Sequence, residues 1–284
     1  LEVPVFSDLL DTQPVSVVCV RDGKLVWDSE RYDRSSAIQG TCSLSWRQGI
    51  KHDAARVMEL TEASGVVRNR LGEIVDVESD YVYPLLKGSD LFNGRSESPR
   101  FSVIVTQRHL HDDTASLREK APKLWAYLQA HQEHFARRKS SVYTGRVAFC
   151  LFGVGEYSFA EYKVAVAGFY ATPRFRAVGP FRSRPLMLDD TCYFLNCASK
   201  EEAALLAGLL NDPVCLDFLK SVILLEAKRP VTKSILQRID LHRLLDLADP
   251  QPLLSRYRTA LDDLGGTSAG KAGYALDCIR SLVR

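Results

Sequence analysis

The sequence predicts an α+β protein, a strand-rich body with packed helices and a helical C-terminal portion. Two observations carry this. Short β-branched and apolar runs, broken by Gly, Asn, Asp and Pro, fill the first half and the middle of the chain. Helix caps and 3.6-residue apolar spacing dominate the last third. No internal repeat or low-complexity segment interrupts the pattern.

Val15–Val20 reads as a strand, Asp22-Gly23 as a turn and Leu25–Trp27 as the returning strand. Arg56–Leu60 and Gly72–Val77 predict two more strands, with turns marked by Gly65 and Asn69. Pro84 forces Tyr83 into an extended conformation ahead of Leu85-Leu86-Lys87-Gly88-Ser89-Asp90, and Phe101–Val105 is a further strand. Asp113 and Thr114 can cap one helix. A second starts near Pro122, places Leu124, Trp125, Leu128 and His131 at helical spacing, and ends near Arg138. Trp125, Tyr127 and Phe135 read as core. Val147–Phe152, Tyr162–Tyr170 and Thr191–Leu195 read as strands. Ser199 with Glu202 forms a capping box ahead of Ala203–Leu210. Pro213 opens a helix towards Leu225, Thr232 caps Ile235–Leu247, and two short helices split by Gly265-Gly266 follow Pro250. The organisation expected is a strand-rich segment over residues 1–45, an α+β region over 46–198 and a helical portion over 199–284.

The chain of 284 residues is long enough for one large or two modest domains. No apolar run approaches the roughly 20 residues that a membrane helix needs, and Leu1-Glu2-Val3-Pro4 does not open a signal peptide. The absent initiator Met suggests a truncated or processed chain. Seven cysteines, most within apolar strings and none in Cys-x-x-Cys spacing, predict buried thiols in a reducing compartment, hence the cytoplasm. A net charge of +2 is too small to imply a polyanion partner. The charge is uneven, however. Arg137, Arg138, Lys139, Arg146, Lys163, Arg174, Arg176, Arg182 and Arg184 form a block opposed only by Glu156 and Glu161. Such a block suits a polyanion-binding face, or equally a solvated surface.

Gly153-Val154-Gly155 follows an apolar run, as a nucleotide loop does, but Tyr157–Tyr170 alternates like a strand and opens no helix. A tight turn or a close backbone approach fits better. Glu226-Ala227-Lys228, with Asp217 upstream, matches the acidic residue plus Glu-x-Lys of metal-dependent nucleases, where carboxylates hold Mg²⁺ and the lysine positions water. Asp112-Asp113 and Asp189-Asp190 neighbour turns, where Asp caps backbone N–H groups. The six histidines show no metal-ligand spacing, and no phosphate-binding Gly-Lys-Ser/Thr loop or Gly-x-Ser-x-Gly elbow is present.

Several strings occur in order: Trp46-Arg47-Gln48-Gly49-Ile50-Lys51-His52-Asp53, Tyr83-Pro84-Leu85-Leu86-Lys87-Gly88-Ser89-Asp90, and Ala121-Pro122-x-x-Trp125-x-Tyr127-Leu128. Then come Phe152-Gly153-Val154-Gly155-x-Tyr157-Ser158-Phe159, Tyr162-Lys163-Val164-Ala165, Asp189-Asp190-Thr191-x-Tyr193-Phe194-Leu195 and Lys228-Arg229-Pro230. From about residue 46 to 245 this set resembles the C-terminal target-recognition region of N6-adenine DNA methyltransferases from restriction–modification systems. That family carries a Phe-x-Gly-x-Gly loop for S-adenosylmethionine and an Asn-Pro-Pro-Tyr-like motif for the extruded adenine. This chain contains no two adjacent prolines, and its one glycine pair of that kind lies within the recognition-type region.

The resemblance therefore implies a non-catalytic portion that reads double-stranded DNA. No cofactor is expected in it; S-adenosylmethionine would belong to a catalytic domain preceding Leu1 or supplied in trans. Lys163, Arg174, Arg182, Lys228 and Arg229 are the expected DNA-backbone contacts. Gln48, Lys51, His52, Lys87 and Ser89 are candidates for base or backbone contact. Three other readings stay open: a metal-dependent endonuclease using Asp217, Glu226 and Lys228, a docking module for a separate methyltransferase, and an RNA-binding protein.

Overall fold

The computed structural model describes residues 2–8, 10–224 and 226–265. The helix expected after Gly266, and Cys278, lie outside them. The chain begins with β1 (Glu2–Val5), β2 (Ser16–Arg21), β3 (Lys24–Val26), α1 (Ser29–Ser35), β4 (Arg47–Gln48) and a single helical turn, α2 (Ala55–Met58). Next come β5 (Glu59–Ala63), β6 (Val66–Asn69), β7 (Val82–Leu86), α3 (Gly88–Phe92), β8 (Phe101–Ile104), α4 (Leu117–Lys120), α5 (Pro122–Ala130) and α6 (Gln132–Ala136). Strands β9 (Tyr162–Ala167), β10 (Arg176–Val178), β11 (Met187–Leu188) and β12 (Cys192–Cys197) precede the helices α7 (Lys200–Leu210), α8 (Pro213–Val222), α9 (Lys233–Leu236), α10 (Leu241–Leu247) and α11 (Pro250–Asp263). The α+β class expected from the sequence is what the chain adopts.

The strands form three sheets, ordered β1-β2-β3, β10-β9-β12-β4 and β11-β7-β8-β5-β6. All pairings are antiparallel except β11 on β7. The central pair β9–β12 runs from Cys192 opposite Ala167 to Cys197 opposite Tyr162. Both strands are apolar almost throughout because both faces are covered. Val164 and Val166 join the helices of one core, whereas Ala165 joins Leu86, Leu91 and Leu188 in another.

The largest core packs Cys19, Val26 and Trp46 with Val164, α7, α8 and α11. In α11, Leu253, Tyr257 and Leu261 recur every four residues and face α7. A second core joins Ile50, Leu60, Val103, Leu124, Leu128 and Leu151. Residues 19–46 thus share a core with the C-terminal helices, so the packing units do not follow the boundaries at 45 and 198. Trp125 and Phe135 both meet Phe149 edge-on, inside or against the second core, in keeping with their core reading.

Five elements differ from the sequence reading, the first being the helix from Pro122, which is interrupted at His131. Arg56–Leu60 is half helical turn and half strand. Gly72–Val77 forms no strand: the hairpin closes earlier, at Ser64-Gly65, where φ values of 51° and 76° suit a two-residue turn. Val147–Phe152 is irregular, and its Phe149, Cys150 and Leu151 are buried. The segment Ile235–Leu247 breaks because the Asp240 side chain accepts from the N–H groups of His242 and Arg243, starting a new helix. Ser199 caps α7 as expected through the N–H of Glu202.

A lysine is enclosed by the core. Lys163 is 1% exposed, and its Nζ donates to the carbonyls of Ala160 and Leu186. Burial pushes its pKa down to about 7 from an ordinary 10.5. Between those values the unfolded chain binds more protons, so stability rises with pH across that window. The rise reaches at most about 1.4 kcal/mol per pH unit. Urea unfolding from pH 7 to 9 should therefore show a gain in stability for the wild type that Lys163→Met lacks. Equal pH slopes for the two proteins would exclude this account.

Candidate nucleic-acid interface

The ordered strings of the sequence meet at one seam. Gly49 N–H donates to Cys192 O (3.0 Å) and Ile50 N–H to Leu188 O (2.8 Å). Asp189 N–H donates to Leu86 O (3.1 Å), and Gly88 N–H to Thr191 Oγ1 (2.9 Å). Lys51 and Phe152 exchange two backbone hydrogen bonds of 2.9 Å. A Cβ on Gly49 would stand 2.1 Å from Asp189 O and 2.4 Å from Leu188 O. At Gly153, φ is +70° and a Cβ would stand 2.8 Å from Gly49 O. Gly153 therefore serves a close backbone approach. The turn after it is a 3-10 helix, Glu156–Phe159, rather than an α-helix N-terminus.

Above the seam opens a cleft of about 790 Å³. Lys51, Arg70, Lys87, Arg137, Arg138 and Lys139 line it, against Asp53, Glu59, Asp189 and Asp190. Six cations face four acids, a local excess of positive charge. Glu59 is the buried anchor, with its side chain 5% exposed. Lys87 Nζ donates to both of its carboxylate oxygens (2.7 and 2.6 Å), and Arg70 donates to Oε2 (3.1 Å). His52 Nε2 lies 3.6 Å from Oε1. Burial alone would raise the carboxyl pKa. The hydrogen bonds of His52 and Lys87, and the Lys87 charge, outweigh burial and hold it at about 2. Asp189 differs: burial pushes its carboxyl up, against hydrogen bonds from Thr191 and Cys192.

Of the sequence-derived candidates, Lys51, His52 and Lys87 line the cleft. His52 is buried, and its Nδ1 accepts from Ala54 N–H. Gln48 donates from its amide to Asp190 O (2.6 Å). Arg229 reaches Asp190 (3.6 Å) and lies over Phe169 (4.8 Å). Ser89 sits half-buried in α3, where its carbonyl accepts from Asn93. The rest are elsewhere. Arg174 lies over Phe92 (4.6 Å), and Arg182 pairs with Glu62 (3.2 Å) in a separate groove of about 600 Å³. Lys228 is exposed in the turns after α8. Lys163 is corrected outright: a lysine enclosed by the core does not reach a phosphate.

Sequence reasoning did not single out Glu59 or Arg70. A glutamate after Val57-Met58 and before Leu60, in an apolar run, was the available signal. Arg138 belongs to the basic block, yet it acts as a clamp. It donates to Cys150 O (2.6 Å) and stacks on Tyr143 (3.8 Å to the ring centre). The Asp pairs act as expected, Asp113 capping Ala115 N–H and Asp189 accepting from Thr191 N–H.

Nothing among the described residues favours the nuclease reading. Its acidic residue Asp217 lies in α8, not on a strand, and pairs with Arg31 (2.9 Å). Among the described residues, no group of three or more His, Cys, Asp or Glu side chains could hold a metal. Nor, among them, is any helix long and apolar enough to cross a membrane.

No family model matches the sequence. A stretch of 199 residues, 70% of the chain, is 40% identical to the Type II methyltransferase M.NspV of Nostoc sp. (strain ATCC 29411 / PCC 7524). The chain is similar to a Type II methyltransferase. It spans 42% of that relative's length. A solved structure, the Type IIL restriction-modification enzyme MmeI in complex with DNA, aligns over 87% of this chain and 37% of its own. The TM-score is 0.43 and the identity 10%.

Because backbone atoms occupy the place of a Cβ at Gly49, Gly49→Ala should destabilise the protein by about 2–3 kcal/mol. Urea unfolding measures this; a loss below about 0.5 kcal/mol, ordinary for a tolerant surface site, would show that the seam is not tight.

Proposed function

We propose that this chain is the DNA-reading portion of a site-specific N6-adenine DNA methyltransferase of a restriction–modification system. The observation that carries the proposal is the 40% identity to a Type II methyltransferase over 70% of the chain. The cationic cleft at the meeting point of the motif strings supplies a geometry suited to the task.

In this reading, Lys51, Lys87, Arg70 and Lys139 meet phosphates along one wall of the cleft. These contacts supply affinity and register, whereas base-edge contacts supply specificity. Gln48 and Arg229, both pinned to Asp190 at the rim, are placed to join them. His52 does not join, because both ring nitrogens face protein groups. S-adenosylmethionine and extrusion of the adenine belong to a catalytic domain in cis or in trans, since this chain has neither the proline pair nor a fitting glycine loop. In this reading the protein works in the cytoplasm, a reducing compartment that suits its buried free thiols.

Binding of the chain to duplex DNA should weaken steeply between 50 and 200 mM salt. Each phosphate contact adds about 0.9 to the slope of log affinity against log salt. Lys51→Met and Lys87→Met should each lower that slope by about this amount, and Lys163→Met should leave it unchanged. No binding at low salt would sink the proposal. In cells carrying the complete protein, methylation mapping should find N6-methyladenine at one recurring sequence; N4-methylcytosine there would overturn the adenine assignment.

A further inference from the structure

Glu59 is an unusual residue to find beneath a polyanion-binding cleft. It sits at the start of β5 with Met58 and Leu60 buried on either side. Its side chain is 5% exposed, whereas those of Lys87 and Arg70 above it are 22% and 48% exposed. An apolar residue of similar size would fill the same space without desolvating a charge. A carboxylate in such a cleft also repels phosphate. Neither core stability nor simple charge attraction accounts for it.

The geometry does. Lys87 and Arg70 approach the same oxygen, Oε2, at 2.6 and 3.1 Å. The two cations come from distant segments, one following β7 and the other following β6, and would otherwise repel each other. Glu59 cancels one of the two charges, draws the heads together and leaves their outer N–H groups towards the cleft. His52, the third partner, stands 3.6 Å from the other oxygen, Oε1. Nearby, Lys51 already pairs with Asp53 (3.4 Å). The outcome is a pair of donors with a net positive charge, gathered on one carboxylate oxygen. Arg offers a planar fork and Lys a point charge.

We propose that Glu59 is a positioning residue that holds Lys87 and Arg70 as a two-pronged clamp for a single DNA phosphate. The inference rests on the DNA-reading function proposed above. Glu59 does not itself touch DNA.

The test turns on a sign. If Glu59 acted only through its charge, Glu59→Gln would tighten duplex binding by removing an anion from the cleft. As a positioning residue, its loss should loosen binding about tenfold, the value of one charge-assisted contact. Duplex affinity of the whole chain at 100 mM salt is the measurement, with far-UV circular dichroism confirming the fold. A second measurement separates positioning from general damage. In the Lys87→Met/Arg70→Met background, Glu59→Gln should cause no further loss, because the groups it arranges are gone. Where Glu59→Gln does not fold, Glu59→Asp, which draws the carboxylate back by one methylene, should loosen binding in the same direction. Unchanged or tighter binding by the folded variants overturns the inference, as does a further tenfold loss in the double-variant background. Failure of the wild type to bind DNA overturns the underlying functional reading instead.

Discussion

The backbone of Gly49 lies so close to the carbonyls of Leu188 and Asp189 that no side chain fits between them. That contact sets the rest of the architecture. It lets Ile50 donate to Leu188 while Asp189 donates to Leu86, so one short segment joins the β4 edge of one sheet to the β11 edge of another. Gly153 closes on the same spot from the other side. Lys51, His52, Lys87 and Asp190 enter the cleft only because these backbones meet. Every buried N–H and C=O along such a seam needs a partner, and here the motif strings supply them to one another.

The charges show how little a linear count says about a surface. The basic block from Arg137 to Arg184 reads as one patch, but the fold distributes it. Lys163 goes into the core and Arg138 becomes a clamp between α6 and Cys150. Arg182 and Arg184 line a separate groove; Arg182 pairs with Glu62 and Arg184 with Asp80. Arg137, Arg138 and Lys139 line the cleft, joined by Lys51, Arg70 and Lys87 from outside the block. Half of the cleft's six cations are consecutive in sequence and half come from distant segments.

Local chemistry was the most legible part. Ser199, Thr232 and Asp113 cap the helices they precede, because an oxygen in the right place satisfies an otherwise free N–H whatever the distant packing. The Gly65 turn and the helix opening at Pro122 follow the same rule. Errors arose where long-range packing decided. Val147–Phe152 has strand composition but finds one bridge partner, since its side chains are needed in the second core. Ile235–Leu247 has helical spacing but yields to the cap at Asp240. Glu59 gave no signal beyond a charge out of place, as its three partners come from residues 52, 70 and 87.

By itself the sequence determined the α+β class, most caps and turns, and the likeness to a Type II methyltransferase. Those depend on neighbours within a few residues, or on order along the chain. The tertiary structure alone decided which cations share a cleft, which one is buried, and which carboxylate organises them. Coulomb energy and desolvation depend on distance through space and on access to water, and neither quantity is written in sequence separation.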